Sequence, residues 1–141
     1  MAFDVFHPNC AAFIVFDELT GEAVIQAVAR RLKVGTRYPL HNSVVGEIRN
    51  LMEVVHVADM TELSLQSSEH SRFGFRSVLA APVEGPDGEP IGALAVFDAT
   101  SRDWPSLDHE RLSNLAYLIT QEVILCASFA TLELMATERH A

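Results

Sequence analysis

Arg76-Ser77-Val78-Leu79-Ala80-Ala81-Pro82-Val83, Gly85-Pro86-Asp87-Gly88-Glu89-Pro90 and Ile91-Gly92-Ala93-Leu94-Ala95-Val96-Phe97 form the stretch whose reading decides the fold. Two apolar runs of strand length flank an Asp-Gly step, and the glycine supplies the positive φ that a tight hairpin turn demands. The returning run is apolar almost throughout, so it is expected to be a central strand covered on both faces.

Upstream, Ala11-Ala12-Phe13-Ile14-Val15-Phe16 is a second apolar run, stopped by Asp17-Glu18-Leu19-Thr20-Gly21. With the mixed residues that follow it reads as another hairpin, 13–17 with 22–30, a helix being the competing reading of the second arm because of its alanines. Residues 35–41 read as loop, Pro39 holding Tyr38 extended. Ser43 is placed to cap a short helix over 44–50, and Glu53-Val54-Val55-His56-Val57 reads as a third strand. The polar, serine-rich segment 59–74 reads as a loop with one or two helical turns.

Downstream lies one long helix over 106–140. Ser106 is its candidate cap, with Asp108 and Glu110 in the first turn complementing the helix dipole. No glycine or proline interrupts it. About 35 residues make a rod of roughly 50 Å, against about 27 Å for an eight-residue strand, so part of the rod overhangs any sheet it covers. Leu112, Leu115, Ala116, Ile119, Val123, Cys126, Ala127 and Ala130 form one apolar stripe, and Leu118, Leu125, Phe129, Leu132 and Met135 a second. A helix apolar on two sides is buried on two sides. No long helix precedes the first strand to cover the second stripe, so a second copy of the chain is the expected partner. The whole pattern is α+β: an antiparallel sheet of five to six strands, helices packed on one face, and the long C-terminal helix. Residues 1–10 read as a lead-in and 11–141 as one domain.

Composition bounds the function. The 141 residues carry 19 acidic and 10 basic side chains, a net charge of −9. That disfavours a nucleic-acid surface, which needs clustered positive charge. Two cysteines, Cys10 and Cys126, are too few for a disulfide framework. No signal-peptide pattern opens the chain and no apolar run reaches the ~20 residues of a membrane span. The expectation is a cytoplasmic domain without membrane contact. The motifs of serine hydrolases, zinc proteases, phosphate-binding loops and paired-cysteine redox enzymes are all missing, and the chain is expected not to be an enzyme. The six histidines are scattered, so no metal site is expected.

Three segments resemble the GAF domain family of small-molecule sensors in signalling proteins. Asn42-Ser43-Val44-Val45-Gly46-Glu47-Ile48-Arg49, leading to Val54-Val55-His56-Val57-Ala58-Asp59, resembles its helix, strand and terminal aspartate. Phe75-Arg76-Ser77-Val78-Leu79-Ala80-Ala81-Pro82-Val83 resembles its Arg-Ser-apolar-Pro strand. Gly88 to Val96, with Arg102-Asp103-Trp104 and Asp108, resembles its last strand and helix entry. The likeness covers roughly residues 11–130 and implies a GAF- or PAS-like sheet with a ligand pocket under 37–46 and 59–75. Arg37, Asp59, Glu69, His70 and Arg76 are then the candidate polar contacts, and Phe73 and Phe75 the apolar walls. Asp59 and Arg76 have a second reading, as partners of each other.

The resemblance also sorts cofactors. Bilin-binding members use a pocket cysteine, and none lies between Ala11 and Leu125. Haem-binding members use a pocket histidine, for which His56 and His70 are the candidates. Cyclic-nucleotide binders carry an Asn-Lys pair that Phe97-Asp98-Ala99-Thr100 lacks. No cofactor is expected. Some relatives reduce free methionine sulfoxide with cysteines near the pocket, whereas Cys10 is expected ahead of the first strand and Cys126 deep in the last helix. The resemblance implies a regulatory module that senses an unknown small molecule, forms a homodimer through Leu118, Leu125, Phe129, Leu132 and Met135, and signals to an effector domain or protein. The alternatives are a non-catalytic dimerisation or docking scaffold with a collapsed pocket, and a cysteine-based reductase.

Overall fold

The computed structural model describes residues 10–29, 32–63 and 67–140, with side chains of the last helix described as far as Leu125. Strands β1 (Cys10–Asp17), β2 (Glu22–Ala29) and β3 (Arg37–Pro39) come first. A 3-10 turn, Val45–Glu47, then runs directly into α1 (Ile48–Leu51). After β4 (Val55–Val57), a second 3-10 turn (Met60–Glu62) and α2 (Ser68–Phe73) come β5 (Ser77–Glu84), β6 (Pro90–Asp98) and α3 (Ser106–His140). The strands form one antiparallel sheet in the order β3-β2-β1-β6-β5-β4.

Both expected hairpins are present, and β6 lies centrally between β1 and β5. In the β5–β6 turn Gly88 adopts φ +83°, and the Asp87 carboxylate accepts from the Glu89 amide at 3.1 Å. Gly92 has a different role. It faces Val15 across the β1–β6 ladder, and a Cβ there would fall 2.2 Å from the Ile14 carbonyl oxygen. Only glycine lets these strands approach so closely.

One strand lies where the sequence reads as loop. Arg37–Pro39 pairs with Glu22, Ala23 and Val24 as the outer strand β3. Its proline, read as loop chemistry, is compatible with an edge strand, where the missing N–H leaves no ladder bond unmade.

Side-chain alternation sends the two faces of the sheet into separate cores. Val78, Ala80, Ala93, Ala95 and Phe97, with Cys10, Ala12, Ile14 and Phe16, face the loops and short helices, meeting Tyr38, Leu40, Val44, Val45, Ile48, Met60 and Phe75. The alanines leave room for these large covering side chains. Leu79, Ala81, Val83, Leu94 and Val96 face α3 and are covered by Trp104, Leu112 and Ala116, with Leu115 and Ile119 partly buried beside them. The first apolar stripe of α3 therefore meets the sheet, as its spacing predicts, and the two short helices lie on the opposite face.

The second stripe is uncovered as far as it is described: Leu118 is 60% and Leu125 50% exposed. The side chains of Phe129, Leu132 and Met135 lie outside the described residues. At 35 residues α3 is about 52 Å long and outruns strands of eight or nine residues. Among the described residues no helix is long and apolar enough to cross a membrane.

Candidate functional site

Two short helices that stabilise each other build the site. α2 begins at Ser67, whose hydroxyl accepts from the His70 amide at 3.2 Å, and ends at Gly74 in the left-handed region at φ +76°. It is tied to the preceding loop, for the Ser68 amide donates to the Asn42 carbonyl and the Ser68 hydroxyl to the His41 carbonyl. This anchoring turns Glu69 inward.

Glu69 is 1% exposed. Its carboxylate accepts from the Tyr38 hydroxyl at 3.1 Å, from the Ser43 hydroxyl, and from the Val44 and Val45 amides at 2.9 and 3.3 Å. The Ser43 hydroxyl in turn accepts from the Gly46 amide at 3.0 Å. The start of the 3-10/α1 segment would otherwise bury amides without partners. A carboxylate from another helix satisfies them, and the positive end of the segment favours its negative charge. Ser43 thus works at this terminus as its position suggests, jointly with Glu69. Burial, and then the Glu69 charge, push the Tyr38 phenol well above its ordinary pKa, so it remains a neutral donor.

Beside this network is a cleft of about 440 Å³. Asn42, Ser43, Val44, Glu47 and Leu51 line one side, residues 54–57 along the outer strand β4 another, and Leu63 with Ser67 the rest. Ser43 and Val44 are two of the groups that Glu69 holds, so one buried carboxylate sets the position of a cleft wall. His56 links the cleft to the opposite face of the sheet. It lines the cleft, and its ring lies 4.7 Å from that of His109 in the first turns of α3.

None of the seven ligand candidates is among the described residues that line this cleft. Arg37 sits on β3, paired with Asp17 at 3.1 Å and Glu22 at 3.3 Å. Asp59 and Arg76 pair with each other, the second of their two sequence readings. Asp59 also accepts from the amide and hydroxyl of Thr61, capping the second 3-10 turn. Arg76, and secondarily Thr61, hold the Asp59 carboxyl well below the usual carboxylate range. His70 Nδ1 donates to the Phe75 carbonyl at 3.0 Å. Phe73 meets Tyr38 edge-on at 5.4 Å, and Phe75 is buried, stacked on Phe97 at 4.7 Å. Polar groups expected to face a ligand are spent on fastening the surrounding loops, and Phe75 belongs to the core. The actual lining includes Val54, Val55 and Val57, which read in sequence as ordinary strand residues, and Leu51, which falls just past the expected helix. The resemblance flagged Asn42, Ser43 and His56 within its motifs, but nothing in their spacing shows that they share a cleft.

Trp104 is buried between sheet and helix, with Arg102 over its ring at 4.5 Å. Cys10 was expected ahead of the first strand. It is instead the first residue of β1 and wholly buried on the face toward Tyr38. Among the described residues no three His, Cys, Asp or Glu side chains converge as a metal site.

Comparison with known proteins adds three findings. No curated protein matches the chain. Many solved structures share its fold. The GAF domain of a Coxiella burnetii phosphoenolpyruvate-protein phosphotransferase is 18% identical with a TM-score of 0.75, over 92% of this chain and 79% of that one. The Neisseria meningitidis free methionine-R-sulfoxide reductase is 22% identical with a TM-score of 0.73, over 89% and 74%. A type II free methionine-R-sulfoxide reductase from Thermoplasma acidophilum is 18% identical with a TM-score of 0.68, over 82% and 79%. At these identities the likeness is one of fold. It nevertheless corrects the sequence reading that the chain is not an enzyme. Two proteins with this scaffold are reductases, so missing a familiar motif does not exclude catalysis. The GAF domain family model matches residues 3–123, most of the chain, and the protein is a member of the GAF domain family.

Proposed function

We propose that this GAF domain is a small-molecule-responsive regulatory module whose ligand enters the cleft beside β4 and whose output leaves through α3. The observation that carries this reading is the double engagement of His56, which lines the cleft and packs against His109 of α3. A ligand that favours one placement of the cleft wall thereby biases α3, which is the differential binding that any such relay requires. Asp59, Glu69, His70 and Arg76 act in this reading as the frame that holds the walls. The exposed Leu118 and Leu125 support pairing of α3 with a second copy, continued along the helix by Phe129, Leu132 and Met135. An effector domain or partner protein would read the state of the paired helices.

Thermal melting against a metabolite library tests the binding step. A compound that binds only the native state raises the midpoint, and His56→Ala is expected to retain that shift while losing any ligand-induced change in α3 protection by hydrogen exchange. Sedimentation tests the pairing: wild type runs as a dimer at micromolar concentration, and Leu118→Asp with Leu125→Asp runs as a monomer. A monomeric wild type refutes the pairing, and a library without one stabilising compound refutes the sensor.

A further inference from the structure

The chemistry of the cleft narrows what it accepts. Its body is aliphatic, from Val44, Leu51, Val54, Val55, Val57 and Leu63. Among the described residues no lysine or arginine lines it. Of the guanidiniums on the surrounding elements, Arg76 pairs with Asp59 and Arg49 with Glu18, and that of Arg72 on α2 is exposed and does not line the cleft. The Ser43 hydroxyl is committed to Glu69 and the Gly46 amide. The Ser67 hydroxyl is committed to Met60 Sδ and the His70 amide. The lining carboxylate is that of Glu47, exposed and in no ion pair among the described residues. Asn42, also exposed, brings a side-chain amide to the lining.

We infer that the cleft takes an uncharged or singly cationic ligand with a branched aliphatic body and rejects ligands bearing phosphate or carboxylate. This rests on the cleft being the ligand site. An anion entering would exchange its hydration shell for mostly aliphatic walls, with a carboxylate at the mouth, no lysine or arginine among the described lining residues, and only the imidazole of His56, packed on that of His109, to donate to it, in a chain of net charge −9. A cation or an alcohol instead meets Glu47 and Asn42 while its tail displaces water from the valines. The volume has room for roughly 10–20 non-hydrogen atoms.

The test is a charge series on one skeleton at pH 7: 6-methylheptylamine, 6-methylheptan-1-ol and 6-methylheptanoate, titrated into the whole chain with amide chemical shifts of residues 42–57 as the readout. The amine is expected to bind tightest, the alcohol about tenfold weaker, and the acid weaker again by about tenfold. Glu47 is exposed, so its variants fold. Glu47→Gln is expected to bring the amine to the alcohol's level, and Glu47→Lys to place the acid above the amine. An acid that binds as well as the amine overturns the charge selection while leaving the cleft a ligand site. An order unchanged in Glu47→Lys does the same, by tracing the preference to the acidic surface as a whole. If none of the three probes moves these resonances while a library compound does, the aliphatic class is wrong and the site stands. If nothing moves them, the site itself falls.

Discussion

Replacing Glu69 with alanine removes one acceptor from four donors at once: the hydroxyls of Tyr38 and Ser43 and the amides of Val44 and Val45. A hydrogen bond to a charged acceptor contributes about 1.5–3 kcal/mol net. Four such contributions do not add, because the donors share one carboxylate and relax together. Alanine also relieves the cost of burying a charge, for which no cation compensates in the contacts described. The closest general case is the loss of one partner from a buried charged network, which costs about 3–5 kcal/mol. That is a large part of the 5–15 kcal/mol typical of a whole domain. Glu69→Gln keeps an acceptor for the Val44 amide. Its NH₂ group then faces the two hydroxyls, which can rotate to accept, and the Val45 amide, which cannot. About 1–3 kcal/mol is expected. Urea unfolding followed by circular dichroism reads both values. With a slope near 2 kcal/mol/M, the alanine variant loses about 1.5–2.5 M in midpoint. Hydrogen exchange adds location, since protection is lost first at Val44 and Val45. The reasoning fails if alanine costs under 1 kcal/mol, or if glutamine costs as much as alanine.

Other substitutions test the backbone and the ion pair. Met52 closes α1 in the left-handed region at φ 58°, so Met52→Gly is expected to stabilise the domain by up to about 1 kcal/mol, read as a rise in melting temperature. Gly92→Ala puts a methyl group into the Ile14 carbonyl oxygen; the ladder must part, and the expected loss is about 3 kcal/mol or more by urea unfolding. Because Arg76 depresses the folded-state pKa of Asp59, this carboxylate stabilises the fold above its unfolded value near pH 4, and the contribution is lost as pH falls through the folded value. Asp59→Asn is therefore expected to lower the melting temperature at pH 7 and to converge with wild type in strong acid. Parallel melting curves down to pH 2 refute the assignment.

What the residues show without coordinates is whatever is encoded locally. The Asp87-Gly88 turn, the apolar run of β6 and the unbroken stretch after Ser106 each carry their own period or turn chemistry, and these hairpins and this helix form where they are expected. The stripe of Leu112 and Ala116 likewise predicts the face that meets the sheet. β3 escaped because three residues, one of them proline, are too few to show an alternation; pairing with β2 alone makes them a strand.

The site belongs to tertiary structure almost entirely. Glu69 lies in a serine-rich segment that reads as a loop with one or two helical turns and as a candidate ligand contact, and its burial follows from Ser67 capping α2 and Ser68 tying it to His41 and Asn42. The sequence determines that Glu69 carries a carboxylate, but which donors surround it depends on segments 24–31 residues away being brought together. The cleft walls are valines and leucines, chemically indistinguishable from core residues until the chain is folded. Hydrophobic periodicity reports that a side chain will leave water; only the packed arrangement decides whether it fills the core or borders an opening.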